Sequence, residues 1–178
     1  FTLILNKKLF KFNIPRLIGN HQIENASTAV VAALELKKLG YNINYHLINK
    51  GIKNTKWPGR LEKFKFNKIL LYLDGAHNIS GARSIVSFIS NSNKETWVVL
   101  GMLKNKNLED FLKTLKGKIK GVMAIKIPNE KNSFSTQDIF LQCNKIGIKC
   151  FKIKNVNSLK KAIINEISAK QIVVTGSL

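Results

Sequence analysis

The sequence predicts an α/β fold built on a mostly parallel sheet, and three observations lead there. Beyond residue 60, strand-length apolar runs such as Ile69-Leu70-Leu71-Tyr72-Leu73, Val98-Val99-Leu100 and Ile172-Val173-Val174 alternate with helix-length amphipathic segments. That alternation implies βαβ units. Right-handed crossovers then set helices on both faces of the sheet. Finally, three runs end in residues that turn the chain or cap a helix: Asp74-Gly75, Gly101 and Gly176-Ser177. In open α/β sheets, ligands sit beyond such carboxyl ends.

The elements follow in order. Residues 1–6 alternate like a strand, Asn6-Lys7-Lys8 is a turn, and 9–14 form a second strand, together a hairpin. A long helix starts near Asn20 with Ile23, Ala26, Val30, Ala33 and Leu34 inward, and Gly40 stops it. A shorter helix covers 44–53, and 54–57 is a linker. The strand–helix alternation begins after it, so the chain is divided into domains at 1–54 and 55–178. Strands are expected at 60–66, 69–74, 97–100, 122–127, 150–153 and 172–175, and helices at 79–90, 108–116, 136–146 and 157–168. The inward face of the helix at 79–90 is Ile79, Ala82, Ile85, Val86 and Ile89.

Composition narrows the class. At 178 residues and 44% hydrophobic, the chain has enough apolar material for a core. No apolar run reaches the ~18–20 residues of a membrane span, so no membrane partner is expected. Cys143 and Cys150 make neither a disulfide framework nor a CxxC pair. They are read as core residues in a reduced, cytoplasmic protein. Lys and Arg number 30 against 10 acidic residues, a net charge of +20. Such a balance suits a nucleic-acid binder. However, Lys far outnumbers Arg and is spread among many Asn and Ile, a pattern that AT-rich codons explain, and no specific nucleic-acid partner is expected. The chain lacks an initial Met and ends on a strand without a capping element, so it is expected to be a piece of a longer protein.

Candidate chemistry gathers at few places. Asp74 follows a strand, Gly75 lets the backbone turn, His77 leaves the same turn, and Asn78 can cap the next helix. Asp74 is either a cap or a ligand contact, and His77 either a turn residue or a substrate contact. Arg60 either pairs with Glu62 along a strand face or meets phosphate through its forked donors. Lys104 and Lys106 follow Gly101, either solvated or facing the site. His21, Asn25 and Thr28 share one face near a helix N-terminus, a setting for caps or for an anion. No G-x-x-x-x-G-K-[ST] loop, zinc-spaced cluster or G-x-S-x-G elbow occurs.

Four segments occur in a familiar order: Gly19-Asn20-His21-Gln22-Ile23-Glu24-Asn25-Ala26, Trp57-Pro58-Gly59-Arg60-Leu61-Glu62, Asp74-Gly75-Ala76-His77-Asn78 and Thr175-Gly176-Ser177-Leu178. This order resembles the folylpolyglutamate synthase/dihydrofolate synthase family, relatives of the Mur amino-acid ligases, across essentially the whole chain. The resemblance implies a Rossmann-like Mur ligase C-terminal domain, truncated at its end, preceded by the tail of the central ATPase domain. It implies ATP-dependent ligation of L-glutamate to a folate or dihydropteroate carboxylate through an acyl phosphate. Magnesium would be held by residues upstream of Phe1. Asn25, Arg60 and Asp74 would contact ATP, and His77 and Ser177 would hold glutamate, with His21 and Lys106 auxiliary. No residue is assigned covalent catalysis, and a monomer is expected. One departure stands out: the family often shows Asp-Lys-Asp where this chain has Asn105-Lys106-Asn107, which removes any ionic role from those two flanking positions. A Mur-type ligase of cell-wall synthesis and a basic nucleic-acid-binding module are the competing readings.

With no phosphate loop in the sequence, the purified 178-residue chain is expected to hydrolyse no ATP. Phosphate release above a buffer blank would show that these residues contain such an engine after all.

Overall fold

The computed structural model describes residues 1–167 and 169–177. The chain separates into two compact units, Phe1–Pro58 and Gly59–Leu178. Ser168, the last residue of an expected helix, and Leu178, the last of the fourth motif, lie outside the described residues.

In the first unit, β1 (Thr2–Leu5) pairs antiparallel with β2 (Lys8–Lys11), Leu5 opposite Lys8. Asn6 and Lys7 both take positive φ, 49° and 62°. Two left-handed residues in a two-residue loop match the right-handed twist of the hairpin. The second strand stops at Lys11, short of the expected 14, and Ile14 is 75% exposed. Helices α1 (His21–Lys38) and α2 (Tyr45–Asn54) follow, and Asn44 caps α2 by accepting the Leu47 N–H at 2.9 Å. Phe12, Val30, Leu34, Ile48 and Ile52 form this unit's core, with Phe1, Phe10 and Ala33 packed around it. Val30 and Leu34 are inward as expected, but Ile23 is exposed and Gln22 is buried in its place. The expected apolar face therefore drifts at the first turn of α1, where polar side chains bond to one another.

In the second unit, a six-stranded sheet runs in the order β3-β4-β8-β5-β6-β7. The strands are β3 (Glu62–Phe66), β4 (Ile69–Leu73), β5 (Thr96–Gly101), β6 (Gly121–Ala124), β7 (Cys150–Lys152) and β8 (Gln171–Gly176). Only the β3–β4 hairpin is antiparallel; the other neighbours are parallel. Four helices connect them: α3 (Ile79–Ser92), α4 (Leu108–Leu115), α5 (Thr136–Ile146) and α6 (Val156–Asn165). Ala162, Ile163 and Ile167, in and just after α6, pack on Trp97, Val99, Met123 and Ile172. Val98, Leu100, Val122 and Val173 are fully buried and, by strand alternation, face the other side. There α3, α4 and α5 lie side by side in chain order. The expected mostly parallel α/β sheet with two covered faces is the observed one.

Two strands begin or end differently from expectation. β3 starts at Glu62 rather than Arg60, because Gly59 and Leu61 take positive φ (69° and 47°) and make a turn. β6 ends at Ala124, short of 127, because its partner β7 has only three residues, after which Ile153 N–H closes the ladder on Ala124 O. In α3, Ala82, Ile85 and Ile89 are buried as expected, whereas Ile79 is exposed in the first turn. Cys143 and Cys150 are both buried free thiols. The Cys150 side chain and burial together push the Cys143 thiol far above its ordinary range, leaving it an unreactive core group.

Packing leaves no room at Gly176, where φ is +115° and an added Cβ would lie 1.7 Å from Gly101 O. Backbone faces backbone there, so nothing can rotate aside. Gly176→Ala is expected to destabilise this unit by about 3 kcal/mol or more through strain and overpacking. Urea unfolding followed at Trp97, in a Trp57→Phe background, checks this; an unchanged midpoint would rule the contact unimportant.

Candidate functional site

The central position of β8 between β4 and β5 creates the site. All three strands run parallel, so their carboxyl ends, Asp74, Gly101 and Gly176-Ser177, emerge side by side on one rim. These are the three strand ends singled out in the sequence.

The loop after β4 is held from several directions. Asp74 is 6% exposed. Its Oδ2 accepts Leu61 N–H at 2.9 Å and its Oδ1 accepts Ala76 N–H at 3.0 Å. Gly75 N–H donates to Gly59 O at 2.8 Å. The carboxylate therefore ties the Gly59–Leu61 turn to the residues that follow β4. Asp74 does not cap α3; Asn78 does, accepting Gly81 N–H at 2.9 Å. Gly81 admits this close packing, since a Cβ there would lie 2.6 Å from Ala76 Cβ.

Arg60 sits in that turn, between two residues whose backbones are bonded to the Asp74–Gly75 segment, and it is exposed. The expected strand-face alternative, a pair with Glu62, is absent among the described residues. Glu62 Oε2 accepts Gly59 N–H at 3.0 Å instead. Because Arg60 lies outside β3, the strand geometry that would aim both side chains the same way does not exist.

His77 is half-buried, with Nδ1 2.9 Å from Gly75 O. A carbonyl only accepts, so Nδ1 carries the proton and Nε2 is left for another partner. Ser177 is also half-buried. Its N–H donates to Gly101 O at 3.0 Å, and its Oγ accepts Leu103 N–H at 3.3 Å. With Oγ accepting from the protein, the hydroxyl proton remains available for an anionic ligand. The rim thus offers an exposed guanidinium, a ring nitrogen and a hydroxyl donor on a rigid backbone frame.

The loop after β5 carries Lys104 and Lys106. Lys104 is exposed, and its N–H bonds to Asn132 O at 2.7 Å. Lys106 is half-buried and lines a cleft of about 510 Å³ with Asn107, Phe134 and Asp138. Asn107 is the N-cap of α4: Oδ1 accepts Asp110 N–H at 3.0 Å, and Nδ2 donates to Asp110 Oδ2 at 2.7 Å. The amide therefore serves a capping role that needs no charge. Asp138 belongs to the Ser135 capping box of α5, whose hydrogen bonds hold its carboxyl below the usual range.

His21 and Asn25 belong to the first unit. Gln22 Nε2 donates to His21 Nε2 at 2.8 Å, and Asn25 Nδ2 donates to Gln22 Oε1 at 3.1 Å. The buried Gln22 thus orders both expected ligand contacts, and Asn25 itself is exposed. Thr28 bonds back to Glu24 O. Sequence reasoning passed over Gln22 and also Thr175, a buried hydroxyl donating to Ala76 O at 3.0 Å. The available signal for Thr175 was a lone polar residue closing an apolar strand. Among the described residues, no cluster of three His, Cys, Asp or Glu could hold a metal ion, and no helix is long and apolar enough to cross a membrane.

Comparison with known proteins gives these features a context. Residues 59–178 match the family model "Mur ligase, glutamate ligase domain". A dihydrofolate synthase/folylpolyglutamate synthase of Bacillus subtilis is 31% identical over 118 residues, which is 65% of this chain and 27% of that protein. The crystal structure of a folylpolyglutamate synthase from Thermotoga maritima superposes with a TM-score of 0.74 at 28% identity, over 97% of this chain and 39% of that one. A bifunctional folylpolyglutamate synthase/dihydrofolate synthase with Mn, AMPPNP and L-glutamate bound shares the fold, with a TM-score of 0.76 at 20% identity over 97% of this chain and 40% of that one. The chain thus spans well under half the length of each.

Removing the Asp74 carboxylate strands two buried N–H groups, each costing about 1–3 kcal/mol. Asp74→Ala is expected to destabilise the second unit by at least about 2 kcal/mol, and Asp74→Asn by less because one acceptor remains. Urea unfolding of both variants measures this, and a neutral Asp74→Ala would refute the clamp.

Proposed function

The chain belongs to the Mur ligase family through its glutamate ligase domain, and on that premise we propose that it forms part of an ATP-dependent ligase joining L-glutamate to a folate or dihydropteroate carboxylate. The observation that carries this reading is the convergence of three loops, after β4, β5 and β8, on one rim of the sheet. Their functional groups suit a small amino acid with two carboxylates beside a polyphosphate. The named activities of the relatives support the substrate class.

The reaction so proposed has three stages. ATP phosphorylates the acceptor carboxylate to an acyl phosphate. The free-base glutamate amine attacks the acyl carbon and forms the C–N bond of a tetrahedral intermediate. This intermediate collapses as the C–O bond to phosphate breaks, releasing phosphate and the amine's proton to solvent. Little covalent work falls to the protein; holding two substrates in line can supply roughly 7–11 kcal/mol. Arg60 neutralises phosphate charge, and Asp74 meets the nucleotide while fixing the turn that carries Arg60. Ser177 donates to a glutamate carboxylate, and His77 Nε2 receives the amino group. Asn25, ordered by Gln22, contacts the adenine, with His21 and Lys106 in supporting positions. Residues 1–54 are assigned to the tail of the ATPase domain and 55–178 to the glutamate-binding domain. Magnesium, which the family reading implies, is assigned to residues elsewhere in the enzyme. We place the enzyme in the cytoplasm as a monomer acting on small molecules; two buried free thiols support a reducing setting.

The test uses the complete enzyme, offering folate with L-glutamate against a UDP-linked cell-wall precursor. Turnover of the first supports the proposal; turnover of the second alone would transfer the chain to cell-wall synthesis. Arg60→Ala is expected to lower turnover about 100-fold or more, as loss of one preorganised charge-stabilising group does. Arg60→Lys should recover little of it, lacking the forked donors. Wild-type turnover in a folded Arg60→Ala enzyme would remove Arg60 from the site.

A further inference from the structure

We infer that Thr175 is a positioning residue for His77, acting through the Ala76 carbonyl; this deepens the proposed ligase reading and rests on it for the identity of the substrate. Ala76 O accepts two hydrogen bonds from consecutive residues of β8, Thr175 Oγ1 at 3.0 Å and Gly176 N–H at 3.0 Å. A carbonyl has two lone pairs, and both are used. Ala76 N–H is bonded as well, to Asp74 Oδ1 at 3.0 Å. On the helix side, Gly81 leaves room for Ala76 and nothing more. The peptide groups on both sides of Ala76 are thereby pinned, and the second of them is the one that carries His77.

Only two freedoms then remain to the imidazole: the residue's own backbone angles and its side-chain rotation. The bond between Nδ1 and Gly75 O restricts the second. Thr175 is suited to this role because it lies near the carboxyl end of an interior strand, one residue before β8 ends at Gly176. It is 3% exposed, and β8 lies between β4 and β5, so the hydroxyl cannot swing to water. A hydroxyl with one available acceptor in a buried site is a fixed strut rather than a rotor. Arginine, serine and histidine on this rim offer groups to a ligand; Thr175 touches none and acts through the backbone.

The experiment compares Thr175→Val and Thr175→Ser in the complete enzyme by two independent readouts. Valine keeps the branched shape and β propensity while deleting the donor; serine keeps the donor. Steady-state kinetics are expected to show KM for L-glutamate raised about tenfold by Thr175→Val, with KM for ATP within about twofold of wild type, because one binding interaction is removed rather than the whole site. Thr175→Ser should return glutamate KM to the wild-type value. The ¹⁵N shifts of the His77 ring nitrogens, measured by NMR without any turnover, should move in Thr175→Val and return in Thr175→Ser. Should Thr175→Val fail to fold, Thr175→Ala takes its place with the same readouts. A folded valine or alanine variant with wild-type glutamate KM and unmoved ring shifts would overturn the inference, as would equal losses toward both substrates that serine fails to rescue. If the wild-type enzyme does not use glutamate at all, the ligase proposal fails, and the ring shifts alone decide the positioning role.

Discussion

At the end of β8, three consecutive residues bond to the strands on either side. Thr175 and Gly176 donate to Ala76 O beyond β4, and Ser177 N–H donates to Gly101 O at the end of β5. The approach is possible only because Gly176 lacks a side chain where Gly101 O passes. Everything on the rim inherits its position from this contact. It sets the spacing between the His77 loop and the Ser177 loop, and Asp74 extends the same frame to Arg60. Backbone-to-backbone bonds in a buried sheet reorganise little, which keeps the groups on the rim in fixed positions.

The sheet beneath supplies the rigidity. Every residue of β5 is buried, and β8 is buried except for Val174. Their aliphatic side chains fill both faces, so the rim stands on a close-packed base that yields little under load. At the opposite edge, Gln171 extends the order by donating to Ser92 Oγ at 3.2 Å and Thr96 Oγ1 at 3.1 Å. One strand thus carries polar anchors at both ends and apolar packing between them.

The unusual composition turns out to have structural uses that do not depend on charge. Asn caps α2, α3, α4 and α6, and Asn6, Asn67, Asn93 and Asn129 occupy left-handed positions at turns. Asn suits both jobs because its short amide can bond the local backbone. The surface ion pairs, such as Lys113 with Glu109 and Lys120 with Glu95, are exposed and contribute little. Against a net charge of +20, stability rests on the apolar core and on caps rather than on ion pairing.

The order of elements, the parallel sheet and the three strand ends were all legible in the sequence, because each depends on local pattern: apolar run length, helical period and the turn residue that follows. Asp74 and His77 could be singled out for the same reason, lying at or just past a strand end, whereas Ser177 stood out only through the family resemblance. What the sequence left open was settled by particular polar contacts, most of them between residues far apart in sequence. Arg60 and Glu62 look like neighbours on a strand face until Asp74, a dozen residues on, draws Leu61 N–H into a turn. Thr175 looks like an ordinary strand residue until β8 is inserted beside β4 and its hydroxyl meets Ala76 O, 99 residues away in sequence. Ile23 looks inward by periodicity, yet Gln22 is buried because its amide has partners in His21 and Asn25. Periodicity reports which face of an element is apolar. It carries no record of which strand lies next to which, and on the rim of the sheet strand order decides which polar groups meet.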